Sequence, residues 1–132
     1  MTKRNLWVIR GLVAVVGSLA MSSAMAAPDG FDAKIAKLGA ENGGQILALV
    51  TGLCQVSPAV VPAPSKDQIA RFLAKRRTKY AADPTYDADF ARGKAGGEQI
   101  TAQYISLHGT KPPTPDDGRP DQCKSLVADM NR

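Results

Sequence analysis

Apolar residues recur every three or four positions along most of the chain, which is the period of an α-helix. No stretch shows the sustained alternation of β-branched and polar residues that is typical of strands. The pattern therefore predicts an all-α protein, a small bundle of four to five helices forming a single domain over residues 27–132.

Two apolar segments around a pair of glycines open the predicted bundle. The stripe of the first helix, which begins at Asp29 or Gly30, consists of Phe31, Ile35 and Leu38. Asn42-Gly43-Gly44 is typical of a helix stop. The stripe of the next segment consists of Ile46, Leu47, Val50, Leu53 and Cys54, and we expect it to be the most buried part of the fold. Whether residues 30–55 form one bent helix or two is left open.

A third helix follows a proline-rich connection over residues 56–64, where proline fixes φ and removes backbone donors. Ser65 and Gln68 have the spacing of a capping box, in which each side chain satisfies a backbone amide of the first turn. The predicted apolar side of this helix consists of Ile69, Phe72, Leu73, Arg76 and Tyr80. We expect the helix to reach Ala82.

The fourth helix has the clearest pattern in the chain. Asp83-Pro84 is a favourable start, because aspartate is a preferred N-cap and proline a preferred first helical residue. Its seam consists of Tyr86, Phe90, Gly93, Gly97, Ile100, Tyr104 and Leu107, at alternating steps of four and three. His108-Gly109 is predicted to end the helix.

Gly93 and Gly97 stand in the middle of that seam, where each glycine costs about 1 kcal/mol relative to alanine. Close approach of another helix would offset this cost, so the two glycines are a candidate helix-packing groove. The neighbouring helix could belong to the same molecule or to a second copy across a two-fold axis. We favour the same molecule, because so small a core cannot leave an aromatic seam uncovered.

The end of the chain combines an extended segment with a final helix. Residues 110–120 are rich in proline and are predicted to form an exposed crossing segment. Asp121 is predicted to cap the last helix. The apolar face of that helix consists of Cys123, Leu126, Val127 and Met130.

The N-terminus has the three parts of a bacterial signal peptide, predicted over residues 1–26. Lys3 and Arg4 precede an apolar run, and Ala24-Met25-Ala26 supplies small residues for cleavage. An uncleaved anchor is the alternative, but the apolar run is too short to cross a bilayer. Cleavage removes three basic residues and no carboxylate, which lowers the net charge from +5 to +2. We expect a periplasmic protein, or one secreted to the medium, without a stable membrane span.

The two cysteines, Cys54 and Cys123, are expected to form a disulfide in an oxidising compartment. A metal site is the alternative, but two cysteines with a single histidine cannot complete a four-ligand zinc site without carboxylates. A bridge over so long a loop is worth about 4 kcal/mol in the chain-entropy model.

Catalytic chemistry has little support in the sequence. The only histidine, His108, lies at a predicted helix end, where the helix dipole and capping carbonyls account for it. Asp83, Asp87 and Asp89 lack the spacing of a calcium loop, and helix-start electrostatics explains them. We therefore expect no enzyme activity, no metal and no cofactor.

Basic residues concentrate on the third helix, where Arg71, Lys75 and Lys79 share one face. One interpretation is an ordinary solvated helix face. The other is a binding strip for an acidic protein or an anionic envelope polymer. The predicted compartment disfavours nucleic acid as the partner.

One short segment resembles a known family. Pro64-Ser65 with Gln68, Tyr80 and Asp83-Pro84 resembles the capped helix of small periplasmic immunity proteins that neutralise amidases delivered by type VI secretion. The additional cysteines of that group are absent, so the resemblance assigns no inhibitory residue.

We therefore expect a helical envelope protein that acts by protein–protein interaction, as an inhibitor, an immunity-like partner or an accessory subunit. A periplasmic stress chaperone is the alternative, because small disulfide-bridged acid-stress chaperones are similar in size and class. The sequence does not indicate the oligomeric state.

Overall fold

A computed structural model describes residues 23–109 and 111–132. The described part holds four α-helices, no strand and one disulfide, which confirms the predicted fold class. The helices are α1 (Ser23–Thr51), α2 (Lys66–Lys79), α3 (Tyr86–His108) and α4 (Arg119–Met130), and a 3-10 turn, Leu53–Gln55, follows α1.

The chain divides into two units, Met1–Asp32 and Ala33–Arg132. In the first unit, residues 23–32 are helical, and the predicted signal peptide lies outside the described residues up to residue 22. None of the four helices combines the length and the hydropathy needed to cross a membrane. The packing contacts and cavities of the fold lie within the second unit.

Helix α1 runs without interruption through Gly43 and Gly44, so the predicted helix stop is wrong and residues 30–51 form one helix. Both glycines are buried contact positions. A Cβ atom on Gly44 would lie closer than 3.0 Å to the backbone of α3 at Phe90, and one on Gly43 would lie 3.4 Å from Arg76 of α2. The close packing that these glycines permit offsets their low helix propensity.

The inward face of α1 is built from small residues rather than from the predicted apolar stripe. Ala36 and Ala40 are buried, whereas Ile35 and Leu38 are 49% and 62% exposed. Because the neighbouring helices approach closely along the alanines and glycines, the larger apolar side chains point to the opposite side of α1. The predicted orientation of the N-terminal half of this helix is therefore wrong.

The core lies at the C-terminal half of α1, as the sequence predicted. Its buried cluster consists of Ile46, Val50, Phe72 and Met130, with Leu47, Leu126 and Val127 packed against it. Leu53 and Cys54 in the following 3-10 turn are also buried. These residues bring α1, α2 and α4 together.

The predicted disulfide is present between Cys54 and Cys123, with their Cα atoms 5.7 Å apart. Both cysteines are fully buried. The bridge joins the 3-10 turn, rather than an α-helix as predicted, to α4. It closes a loop of 69 positions, so it reduces the conformational freedom of most of the unfolded chain.

The predicted helix starts are confirmed for α2 and shifted for α3 and α4. Ser65 and Gln68 form both hydrogen bonds of the capping box, at 3.1 and 2.8 Å. Helix α3 begins after Thr85, because the Asp83 carboxylate accepts the Thr85 amide (2.9 Å) and forms a turn before the helix. Helix α4 likewise begins at Arg119, whose amide donates to Asp117, so Asp121 lies inside the first turn.

A cationic cleft as the candidate functional site

Gly93 and Gly97 lie against α1 of the same molecule. A Cβ atom on Gly93 would lie closer than 3.0 Å to the Glu41 backbone, and one on Gly97 would lie 2.7 Å from Cβ of Ala48. The groove predicted from the α3 seam is thus filled by a helix of the same chain. The two glycines allow α3 to pack closely on α1, so this groove is not open to a partner.

The basic strip on α2 divides between two surroundings. Lys75 and Lys79 line a cavity of about 300 Å³ between α2, α4 and α1, whereas Arg71 is exposed and lies outside that lining. The lining of this cavity, here called the cationic cleft, consists of Asn42, Phe72, Lys75, Arg76, Lys79, Tyr80, Asp129, Met130 and Arg132. Two of the three residues of the predicted strip, Lys75 and Lys79, therefore line a cleft, and the third does not.

Four cationic side chains face this cleft against a single acidic side chain. That carboxylate, Asp129, accepts a hydrogen bond from Arg132 at 2.6 Å in an exposed ion pair. The Lys75 ammonium donates to a main-chain oxygen of Arg132 at 3.1 Å, which ties α2 to the residues that follow α4. The cleft consequently carries an excess of positive charge that could attract an anionic group.

The guanidinium of Arg76 is held in place at the floor of the cleft. It lies 5.3 Å from the centre of the Phe72 ring and 5.4 Å from that of Tyr80, and it donates to the Gly39 carbonyl at 3.4 Å. The Tyr80 ring in turn lies where a side chain on residue 39 would be. Stacking and hydrogen bonding reduce the motion of Arg76, so little side-chain entropy remains to be lost on binding.

The lining of the cleft combines charged and apolar groups. Its lining combines ammonium and guanidinium donors with the side chains of Phe72, Tyr80 and Met130, and it includes no serine, cysteine or histidine. Such a surface can hold a carboxylate next to apolar groups. His108 lies elsewhere, exposed at the end of α3 and stacked on Tyr104 with ring centres 4.4 Å apart.

Asp89 belongs to a buried ion-pair network that the sequence did not indicate. Its carboxylate has no solvent exposure and accepts from Lys37 at 2.7 Å, from Arg92 at 2.6 Å and from Thr85 at 2.8 Å. Arg92 also pairs with Glu41 of α1. The hydrogen bond from Lys37 is the main cause that lowers the pKa of Asp89 to about 2.

The predicted position of Asp87 and Asp89 in the first turn of α3 is confirmed, and both carboxylates also form ion pairs with side chains of other helices. Asp89 connects α3 to α1 through Lys37 and Arg92. Asp87 forms an exposed ion pair with Arg77 of α2, at 2.6 Å. Both carboxylates do lie in the first turn of α3, but their partners are side chains of other helices as well as the helix end.

Arg119 forms a second buried charged centre, on the far side of the disulfide turn. Its guanidinium donates to the carbonyls of Leu53 (3.1 Å), Val56 (2.9 Å) and Pro58 (3.1 Å). No helical or strand pattern precedes this arginine, so the sequence offered no signal for it. The hydrogen bonds of Arg119 and the disulfide therefore hold the segment that follows α1 against the start of α4.

Tyr104 and Asp117 extend the same centre. The Tyr104 hydroxyl donates to Asp117 at 2.5 Å, and this bond is the main cause that lowers the pKa of Asp117 and raises the pKa of Tyr104. The Tyr104 ring also lies 5.0 Å from the Arg119 guanidinium. The proline-rich segment is thereby fixed to α3.

Within the described residues, no group of three or more histidine, cysteine or acidic side chains is arranged to hold a metal ion. Comparisons with protein families, with curated proteins and with solved structures found no match. The resemblance to periplasmic immunity proteins thus gains no support from a relative, and any function must be argued from the site itself.

Proposed function

We propose that this chain is an exported binding protein of the bacterial envelope, and that its cationic cleft receives an acidic segment of another protein. The observation that carries this proposal is the excess of four cationic side chains over one acidic side chain around a cavity with an aromatic floor. A disulfide between buried cysteines and the signal-like N-terminus support export to the periplasm.

The size of the cleft favours recognition of a few side chains. A cavity of about 300 Å³ lies at the lower end of the range for small-molecule sites, and one or two carboxylate side chains of a docked segment would occupy it. Lys75 and Lys79 would pair with those carboxylates while Arg76 stays in its aromatic stack. An inhibitor, an immunity-like protein or an accessory subunit would each use such a site.

Charge reversal tests this proposal. The partner is identified by cross-linking in periplasm and then titrated with the disulfide-bonded protein. Lys75→Glu with Lys79→Glu should weaken binding at least about a hundredfold at low salt, because both charges attract the same acidic segment. Lys111→Glu with Lys124→Glu changes the net charge equally at exposed positions outside the cleft, and it should retain most of the affinity.

If the two double variants weakened binding equally, the effect would come from net charge. That result would contradict the proposal that the cleft is the binding site. Capture of an anionic polysaccharide rather than a protein would contradict the class of partner. A stress chaperone remains the second candidate, because Leu38 and Leu107 are 62% and 80% exposed. A chaperone would suppress aggregation of acid-treated clients equally well in both double variants.

A further inference from the structure

A second cavity lies on the opposite side of α2, between this helix and α3. Its volume is about 370 Å³, and its lining, here called the α2–α3 groove, consists of Leu73, Ala74, Arg77, Tyr86, Asp87 and Phe90. Leu73 is 37% exposed, although it belongs to the predicted apolar side of the helix. The ion pair between Arg77 and Asp87 contributes the charged part of this otherwise apolar groove.

Tyr86 lines the groove and also a neighbouring cavity that includes Pro84 and Thr85. The residue is only 8% exposed, and its hydroxyl is buried without a hydrogen-bond partner within the described part of the chain. Burial raises the pKa of Tyr86, which keeps the hydroxyl protonated as a donor. The Arg77 guanidinium lies 4.9 Å from the centre of the Tyr86 ring. Tyr86 is therefore a fixed, largely buried part of the groove wall.

The groove and the cationic cleft are separated by the width of one helix. Leu73 and Arg77 line the groove, whereas Lys75 and Lys79 line the cleft. A helix with its side chains is about 10–12 Å across, so one segment lying over α2 can reach both cavities. Arg71, the third residue of the predicted strip, is exposed on the same helix.

Charge decides which occupant fits this surface. Helix α2 carries a single carboxylate, Asp67, against six basic residues: Lys66, Arg71, Lys75, Arg76, Arg77 and Lys79. Two copies of the protein meeting through α2 would bring like charges together, which is unfavourable. A purely apolar segment would not pair with these cations. An acidic segment with an apolar side chain complements both features.

We infer that the acidic partner crosses α2 and inserts an aliphatic or aromatic side chain into the α2–α3 groove while its carboxylates occupy the cationic cleft. This inference rests on the proposed function and adds the apolar anchor that the partner must carry. Buried apolar anchors of this kind contribute a large share of binding energy at protein interfaces. The cleft would then set charge preference and association rate, and the groove would set residence time.

Two synthetic peptides test the anchor directly, whatever the identity of the partner. One is glutamate-rich with a single leucine, and the other has serine in place of that leucine. Fluorescence anisotropy measures their binding to the disulfide-bonded protein. The leucine peptide should bind about tenfold more tightly, as expected for burial of one leucine side chain.

Leu73→Asn should reduce that preference to less than about twofold, since it removes the apolar wall of the groove. Ile105→Asn is the matched control, because Ile105 is 45% exposed on α3 and does not line the groove. It should leave the tenfold preference intact. Equal binding of the two peptides to the parent protein, or a preference that survives Leu73→Asn, would overturn the inference.

Failure of the proposed function has a different signature. If Lys75→Glu with Lys79→Glu left peptide binding unaffected, or if neither peptide bound, the proposed function of the cationic cleft would be contradicted. The inferred apolar anchor would then fail with it. Sedimentation tests the remaining occupant. A parent dimer that becomes monomeric in Leu73→Asn would show that a second copy covers the groove, which would also overturn the inference.

Discussion

At the scale of single residues, the charges that matter most to this fold are the buried ones. Asp89 and Arg119 are both nearly inaccessible to solvent, and each has at least one hydrogen-bond partner from a distant part of the chain. Their neighbours in sequence indicate only a helix start and a proline-rich segment. Since burial and partners are set by tertiary packing, residue type and spacing could not reveal either centre.

The ion pairs of Asp89 predict a pH dependence of stability. Its pKa is lowered from 3.8 to about 2 in the folded protein, so the native state favours the carboxylate. The stabilisation is therefore fully present above pH 3.8 and is lost as the pH falls toward 2. Thermal melts across this range should show a steeper fall in Tm for the parent protein than for Asp89→Asn.

The matched control is Asp87→Asn, which removes a carboxylate from an exposed ion pair. Exposed pairs contribute little to stability, so this variant should keep the parental pH profile. Parallel profiles for the parent and Asp89→Asn would contradict the role assigned to the network.

At the scale of elements, the sequence predicted the role of two glycines correctly and the role of two others wrongly. The seam of α3 indicated a close helix contact at Gly93 and Gly97, and both positions lie against α1. Gly43 and Gly44 were interpreted as a helix stop, yet they lie in the middle of α1. A glycine at a helix end and a glycine at a helix crossing have the same local propensity, and only the neighbouring helix distinguishes them.

Two alanine substitutions in α3 should therefore have opposite effects. Gly93→Ala places a Cβ atom into the backbone of α1 at Glu41, so it should destabilise the protein by about 1–3 kcal/mol. Gly96→Ala, three positions away, meets no atom within 4 Å and should stabilise it by up to about 1 kcal/mol through helix propensity. Chemical denaturation measures both. A stabilising Gly93→Ala would show that α1 and α3 do not meet as described.

At the scale of the whole molecule, the fold class followed from periodicity, and the disulfide followed from two cysteines behind a signal-like N-terminus. The candidate site followed only in part. The sequence indicated that Lys75 and Lys79 share one helix face, whereas Asp129 of α4 and Arg132 after its end also line the cleft. Which helix α2 packs against depends on the core and the disulfide, so the strip could not be recognised as one wall of a cleft.

The most direct test of the central claim is site-specific photo-cross-linking in the periplasm. A photoreactive residue at position 79 faces the cationic cleft, and one at position 124 is exposed on α4 outside it. Binding of an acidic segment in the cleft predicts an adduct at position 79, mapped by mass spectrometry to a carboxylate-rich stretch of a partner protein, and none at position 124. The same adducts at both positions, or none at position 79, would contradict the claim.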